Sequence, residues 1–155
     1  MLGDKIFLKS VQARNILSFG PDTPALPLHS LNVLVGPNGA GKSNLIEVLS
    51  LLHATPGNLV EPVQGSGGIS EWLWKGAEQM PVAEVEVLVE YPAGRMPLRH
   101  RLSLGMVGQR AELIDEAIEN ERPQSTKNPD PFFYYRYQNG RPVLNTASAN
   151  GESLK

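Results

Sequence analysis

Residues 36–43 read GPNGAGKS, which fits G-x-x-x-x-G-K-S, and the flanking runs are LNVLV and NLIEVLSLL. No other stretch limits the fold so strongly. Glycines at Gly36, Gly39 and Gly41 let the backbone turn inward and adopt left-handed conformations at no steric cost. Several N–H groups can then converge on one point, as a triphosphate tail requires. A helix starting directly afterwards adds unpaired N–H groups and the positive end of its dipole. Lys42 can reach the terminal phosphates, and the Ser43 hydroxyl is placed to ligate Mg²⁺. Asn44, on the first helical turn, can add a donor. The candidate binding residues are therefore Gly36, Pro37, Asn38, Gly39, Ala40, Gly41, Lys42, Ser43 and Asn44, with Ser43 also the metal ligand. Four fixed positions match by chance with a probability on the order of 1% in a chain this long.

The flanks supply the context that the motif needs. LNVLV, residues 31–35, is a short apolar run with β-branched residues, expected as a strand buried on both faces. Leu45, Ile46, Val48, Leu49 and Leu52 recur at helical spacing up to about Ala54, and Thr55-Pro56-Gly57 stops the helix. Ahead of them, IFLKSVQARNILSF reads as one or two strands, and PDTPALPLHS as a loop because of its three prolines. EPVQGSGG, residues 61–68, is expected to be a flexible loop. Ser70 is placed to cap a short helix running to Lys75 and ended by Gly76.

The period then changes from helical to alternating. Ala83, Val85, Val87 and Val89 share one face of a strand, while Glu84, Glu86 and Glu90 share the other. Leu98, Leu102, Leu104 and Met106 do the same opposite Arg99 and Arg101, so cross-strand Glu–Arg pairs are expected on the wet face. RAELIDEAIEN fits either element but sits among strands and is assigned as one. Asn139-Gly140 between strand-like runs signals a hairpin. The expectation is one incomplete domain of α/β (α+β) class. It comprises a βα core over 1–57, a loop and short helix over 58–80, an antiparallel β meander over 81–147 and a flexible tail over 148–155.

Composition removes several classes of function. The net charge of −2 gives no bulk electrostatic reason for binding nucleic acid or an anionic membrane. With no cysteine there are no disulfides or thiolate metal sites. MLGDKIFLKS has no signal-peptide core, and LIEVLSLL is interrupted by Glu47 and Ser50, so no segment reads as a membrane span. A cytoplasmic protein is expected.

ARNILSFG followed by LNVLVGPNGAGKSNLIEVLSLL resembles the RecF/SMC-like branch of the ABC-type ATPases, which includes bacterial AAA-type predicted ATPases. The likeness runs over residues 2–54 and extends to 67–144, where such heads carry an antiparallel β subdomain. It implies the N-terminal lobe of a P-loop NTPase and binding of ATP with Mg²⁺. It also implies head-to-head dimers with two sandwiched nucleotides, and work on DNA or partner proteins. Where relatives often carry Asn-Phe-Arg-Ser this chain has Asn15-Ile16-Leu17-Ser18, so Leu17 replaces an arginine that can touch phosphate. Hydrolysis in that class also needs a Leu-Ser-x-Gly loop and a strand ending in Asp-Glu. Leu102-Ser103-Leu104-Gly105 and Leu113-Ile114-Asp115-Glu116 mimic both. However, only nine residues separate Gly105 from Asp115, too few for a helix, a turn and a core strand. Both are expected to be ordinary strand residues, with no catalytic residue identifiable and the catalytic half lying beyond Lys155. Gln64 and Gln79 are the only glutamine-loop candidates. The alternative is a standalone, non-catalytic P-loop interaction module; a kinase-like transferase is less supported, lacking a base or a lid arginine cluster.

Other features have structural readings. Arg95, Arg99, His100 and Arg101 could meet a nucleic-acid backbone, but as strand residues opposite glutamates they read as a solvated face. Phe132, Phe133, Tyr134, Tyr135 and Tyr137 could stack on bases, yet suit a hairpin covering a core. Trp72 and Trp74 read as packing anchors. His29, His53 and His100 lack ligand spacing.

Overall fold

The computed structural model describes residues 7–145 apart from 66, 93, 95 and 125–128. Alternating burial builds its frame. Seven strands form one antiparallel sheet: β1 (Leu8–Arg14), β2 (Leu26–Pro27), β3 (Ala83–Val89), β4 (Leu98–Val107), β5 (Arg110–Asn120), β6 (Phe133–Gln138) and β7 (Arg141–Leu144). Their order is β2-β1-β3-β4-β5-β6-β7, so the N-terminal strand joins the meander beside β3. Ala83, Val85 and Val87 are buried and pack with Leu102 and Leu104. RAELIDEAIEN is a strand because β4 and β6 supply ladders along both of its edges. At the β6–β7 turn, Asn139 and Gly140 have φ of 51° and 74°, the left-handed pair of a type I′ hairpin.

Among the described residues three helices, α1 (Lys42–Ala54), α2 (Val60–Gly65) and α3 (Ile69–Trp72), accompany the sheet. Val48 and Leu51 of α1, Val63 of α2, and Ile69 and Trp72 of α3 join the apolar residues of β1, β3 and β4 in one core. α1 runs as its periodicity predicts, although Ile46 faces solvent and Leu51 takes a core place instead.

Several expectations are corrected. Part of EPVQGSGG is helical: Pro62 falls in the first turn of α2, where its missing N–H costs nothing, and full burial of Val63 outweighs the weak propensity of the segment. Ser70 is not a cap. Gly68, at φ 93°, precedes α3, which stops at Trp72 because Leu73 is extended. Leu73 bridges Ile16, and Trp74 N–H donates to Asn15 O. The proline-rich loop contributes the two-residue β2. The largest correction is LNVLV. Residues 31–35 form no ladder, and Leu31, Val33 and Val35 are 81%, 77% and 89% exposed. A buried strand needs neighbours on its edges and cover on its faces, and all seven strands of the described sheet pair elsewhere.

The charged pairs form, but with other partners. Arg99 binds Glu119 at 2.7 Å and Arg101 binds Asp115 at 3.3 Å, both on β5, while Glu84 of β3 and Glu90 just after it turn to Arg14 and Lys9 of β1. Glu119 is the direct register partner of Arg99, a pairing set by the β4–β5 ladder. His100 leaves the arginine face altogether. It is the register partner of Val87 and Ile118, and its Nε2 lies 2.8 Å from Glu116 Oε1. Arg95 and the tail from 146 onward lie outside the described residues. Trp72 is buried in the core, whereas the hairpin aromatics are half-buried, with Tyr134 edge-on to Tyr91 and Phe132.

The Tyr135 hydroxyl donates to Glu116. Burial, then the Glu116 charge and this bond, raise the Tyr135 pKa above its ordinary value. The fold therefore favours the neutral phenol. Its contribution is complete below the unfolded pKa of about 10 and is lost as pH rises through the higher folded value. Urea unfolding midpoints should fall on raising pH beyond about 10, and Tyr135→Phe should fall less steeply over that window.

Candidate functional site

The glycine loop leaves the exposed 31–35 segment and turns through Ala40, whose N–H donates to Pro37 O at 3.2 Å. Gly39 and Gly41 sit at φ 84° and 85°, so two left-handed residues curl the chain into α1. Gly41 is the N-cap, and Leu45 N–H makes the first helical bond, to Gly41 O at 3.0 Å. The amides just before it have no partner one turn back, as at any helix start. The first turn of α1 holds no acidic residue, so nothing there offsets the positive end of the helix.

Lys42 folds back over this turn. Its Nζ donates to Gly36 O and Pro37 O, each at 2.8 Å. The ammonium thus lies across the loop on two neutral carbonyls, contacts weaker than those a charged oxygen would offer. Ser43 is exposed at the start of the helix, and Asn44 Nδ2 donates to Ser18 Oγ at 2.8 Å. The glycines are required for different reasons. A Cβ on Gly39 would meet no atom within 4 Å, so only its φ calls for glycine. A Cβ on Gly41 would lie 2.8 Å from Ser18 Oγ, so a side chain there would meet the unfavourable φ and would also have to displace the Ser18 hydroxyl.

Beside the loop, a recess of about 400 Å³ is lined by Val11, Ala13, Phe19, Leu26, Val35 and Leu45, with Gly41 and Lys42 at its rim. The nine candidate residues are contiguous and stay together. The glutamine candidates do not join them: Gln64 is on the exposed side of α2, and Gln79 is exposed ahead of β3. Leu102–Gly105 and Leu113–Glu116 are strand residues, with Ser103 paired to Asp115 across the β4–β5 ladder. Neither stretch opens a helix or ends a strand. Ser18 carries no sequence signal for this site, because its closeness to Gly41 and Asn44 depends on a turn whose shape sequence spacing does not reveal.

The residues fit a nucleotide phosphate with its metal. A curled main chain is cleared of side chains where a Cβ would intrude, a helix start carries no acid, and an ammonium and an exposed hydroxyl are adjacent. Gly41→Ala should destabilise the protein more than Gly39→Ala in thermal unfolding. Both incur the left-handed penalty of about 1–2 kcal/mol, but only Gly41→Ala adds a clash.

Residues 31–150, more than half of the chain, match the family described as "AAA domain, putative AbiEii toxin, Type IV TA system". No curated protein matches. Among solved structures, one from work on the ATP-driven dimerisation and DNA-stimulated activation of SMC ATPases aligns with a TM-score of 0.50 and 19% identity. The alignment spans 68% of this chain and 72% of that one. At such low identity the likeness concerns the fold, a mixed α/β lobe of the P-loop NTPase kind with an antiparallel sheet. The chain belongs to this AAA-domain family, and its fold is similar to that of an SMC ATPase.

Proposed function

We propose that this chain binds ATP with Mg²⁺ through residues 36–44, as the nucleotide-binding lobe of an SMC-like ATPase. The reading is carried by one observation: left-handed Gly39 and Gly41 curl the loop into an acid-free helix start, with the Lys42 ammonium lying across it. Main-chain amides from Asn38 to Gly41 cradle the phosphates. Lys42 exchanges two carbonyl partners for phosphate oxygens, Ser43 ligates Mg²⁺, and Asn44 adds a donor. The bound nucleotide supplies a scissile phosphoanhydride. No residue described here takes the part of a base toward water, since Asp115 and Glu116 are held in the sheet by Arg101 and His100. The chain by itself should therefore hold nucleotide and turn it over negligibly.

The SMC ATPase to which the fold is similar is described by ATP-driven dimerisation and DNA-stimulated activation. Head-to-head pairing of two such lobes around nucleotide is the corresponding proposal here, in the cytoplasm. DNA has less support, because Arg99 and Arg101 are bound to carboxylates.

Calorimetric titration with ATP·Mg²⁺ checks the site. Wild type should give a saturable isotherm. Lys42→Ala, losing charge-assisted bonds of about 1.5–3 kcal/mol, should bind roughly 10- to 100-fold more weakly. Equal affinities for the two proteins would refute the assignment.

A further inference from the structure

Residues 36–40 are exposed, and the segment before them has no ladder to hold it. Something else must keep the loop in register with the sheet. One side-chain bond does so, and it ends on Ser18. Its Oγ accepts a bond from Asn44 Nδ2 at 2.8 Å, and the same oxygen lies 2.8 Å from the point a Gly41 side chain would occupy. Asn44 stands on the first turn of α1, and Gly41 is the N-cap of that helix. One hydroxyl therefore binds the helix that the loop enters and occupies the space beside Gly41 that a side chain would need.

The turn carrying Ser18 is built to hold it still. Asn15 and Leu17 sit at φ 54° and 52°, conformations that a branched, bulky residue such as leucine rarely adopts without enforcement. The enforcement is visible. Fully buried Ile16 bridges Phe19 and Leu73, Leu17 N–H donates to Trp72 O at 2.6 Å, and Trp74 N–H donates to Asn15 O at 3.1 Å. Asn15 Nδ2 also donates to Val82 O at 3.2 Å, at the start of β3. The turn is thus fastened to the exit of α3 and to the sheet. Because Ser18 Oγ accepts from Asn44, that bond leaves its own hydroxyl hydrogen unused.

We infer that Ser18 is a positioning residue for the phosphate loop. Through Asn44, it fixes the first turn of α1, and with it the loop that enters that turn, against the sheet. Its effect on nucleotide affinity rests on the ATP reading above, whereas its effect on loop order does not. The turn supplies the rigidity, and Ser18 and Asn44 act as one unit across the gap between sheet and helix.

The test compares Ser18→Ala, Asn44→Ala and the double variant with wild type. Amide hydrogen exchange of residues 36–45 is measured first without nucleotide. Each single variant should exchange about fivefold faster there, as expected for loss of one hydrogen bond, and the double variant should exchange no faster than either. Thermal midpoints should stay near wild type, because Ser18 is exposed. ATP·Mg²⁺ titration should then show a roughly fivefold loss in Ser18→Ala, and the double variant should bind no more weakly than Asn44→Ala, which also loses its own donor to the phosphates. Wild-type exchange rates in Ser18→Ala, or additive effects in the double variant, would overturn the inference. If wild type gives no ATP heat, the nucleotide reading fails and the exchange result still decides the role of Ser18.

Discussion

Ile16, Val48, Leu51, Val63 and Val85 meet where the apolar face of the sheet touches the three helices, and each is almost wholly withdrawn from water. Burying such side chains stabilises the fold by about 1.5–3 kcal/mol apiece, far more than the exposed ion pairs around them. The glycine loop depends on this contact, although it contributes no side chain to it. α1 is pinned through Val48 and Leu51, and the turn at Ile16 through the same cluster. The start of α1 is consequently carried to the end of β1, and the loop is suspended between two elements that cannot shift independently.

Charge is distributed so that most cations already have partners. On one side of the sheet Arg99 and Arg101 lean on Glu119 and Asp115, with Arg136 Nε 4.0 Å from the same aspartate. On the other side His100, Glu116 and Tyr135 form a half-buried polar chain at the margin of the core. A guanidinium held by a carboxylate is a poor ligand for a phosphate backbone. Lys42 differs in kind: its partners are neutral carbonyls, so an anion arriving at the loop meets a cation bonded to uncharged oxygens.

What could be read from residues alone follows the range of the interactions involved. The glycine loop, α1, the alternation of β3 and the Asn139-Gly140 hairpin are written in local periods and backbone demands, and all are found in the structure, whereas β4 is a strand in which four consecutive residues, Leu102 to Gly105, are buried. β5 was ambiguous because Leu113, Ile114, Ala117 and Ile118 also suit a helix, and only ladders on both edges decide it. α2 was missed because burial of one residue, Val63, prevails over Pro62 and Gly65. LNVLV has the composition of a central strand, but composition cannot create neighbours, and the run stands bare. The site shows the same division. Its nine residues are contiguous and legible, whereas Ser18 reaches it only through a left-handed turn at Asn15 and Leu17 that no propensity would suggest.

The central claim is that main-chain amides of the curled loop hold a triphosphate. Residue-resolved amide NMR on the nucleotide-free chain, repeated with ATP·Mg²⁺, tests it most directly. The account predicts that the largest shifts fall on the amides of residues 38–44, next to the left-handed glycines and the helix start. Shifts concentrated on the sheet, with those seven amides unmoved at saturation, would contradict it.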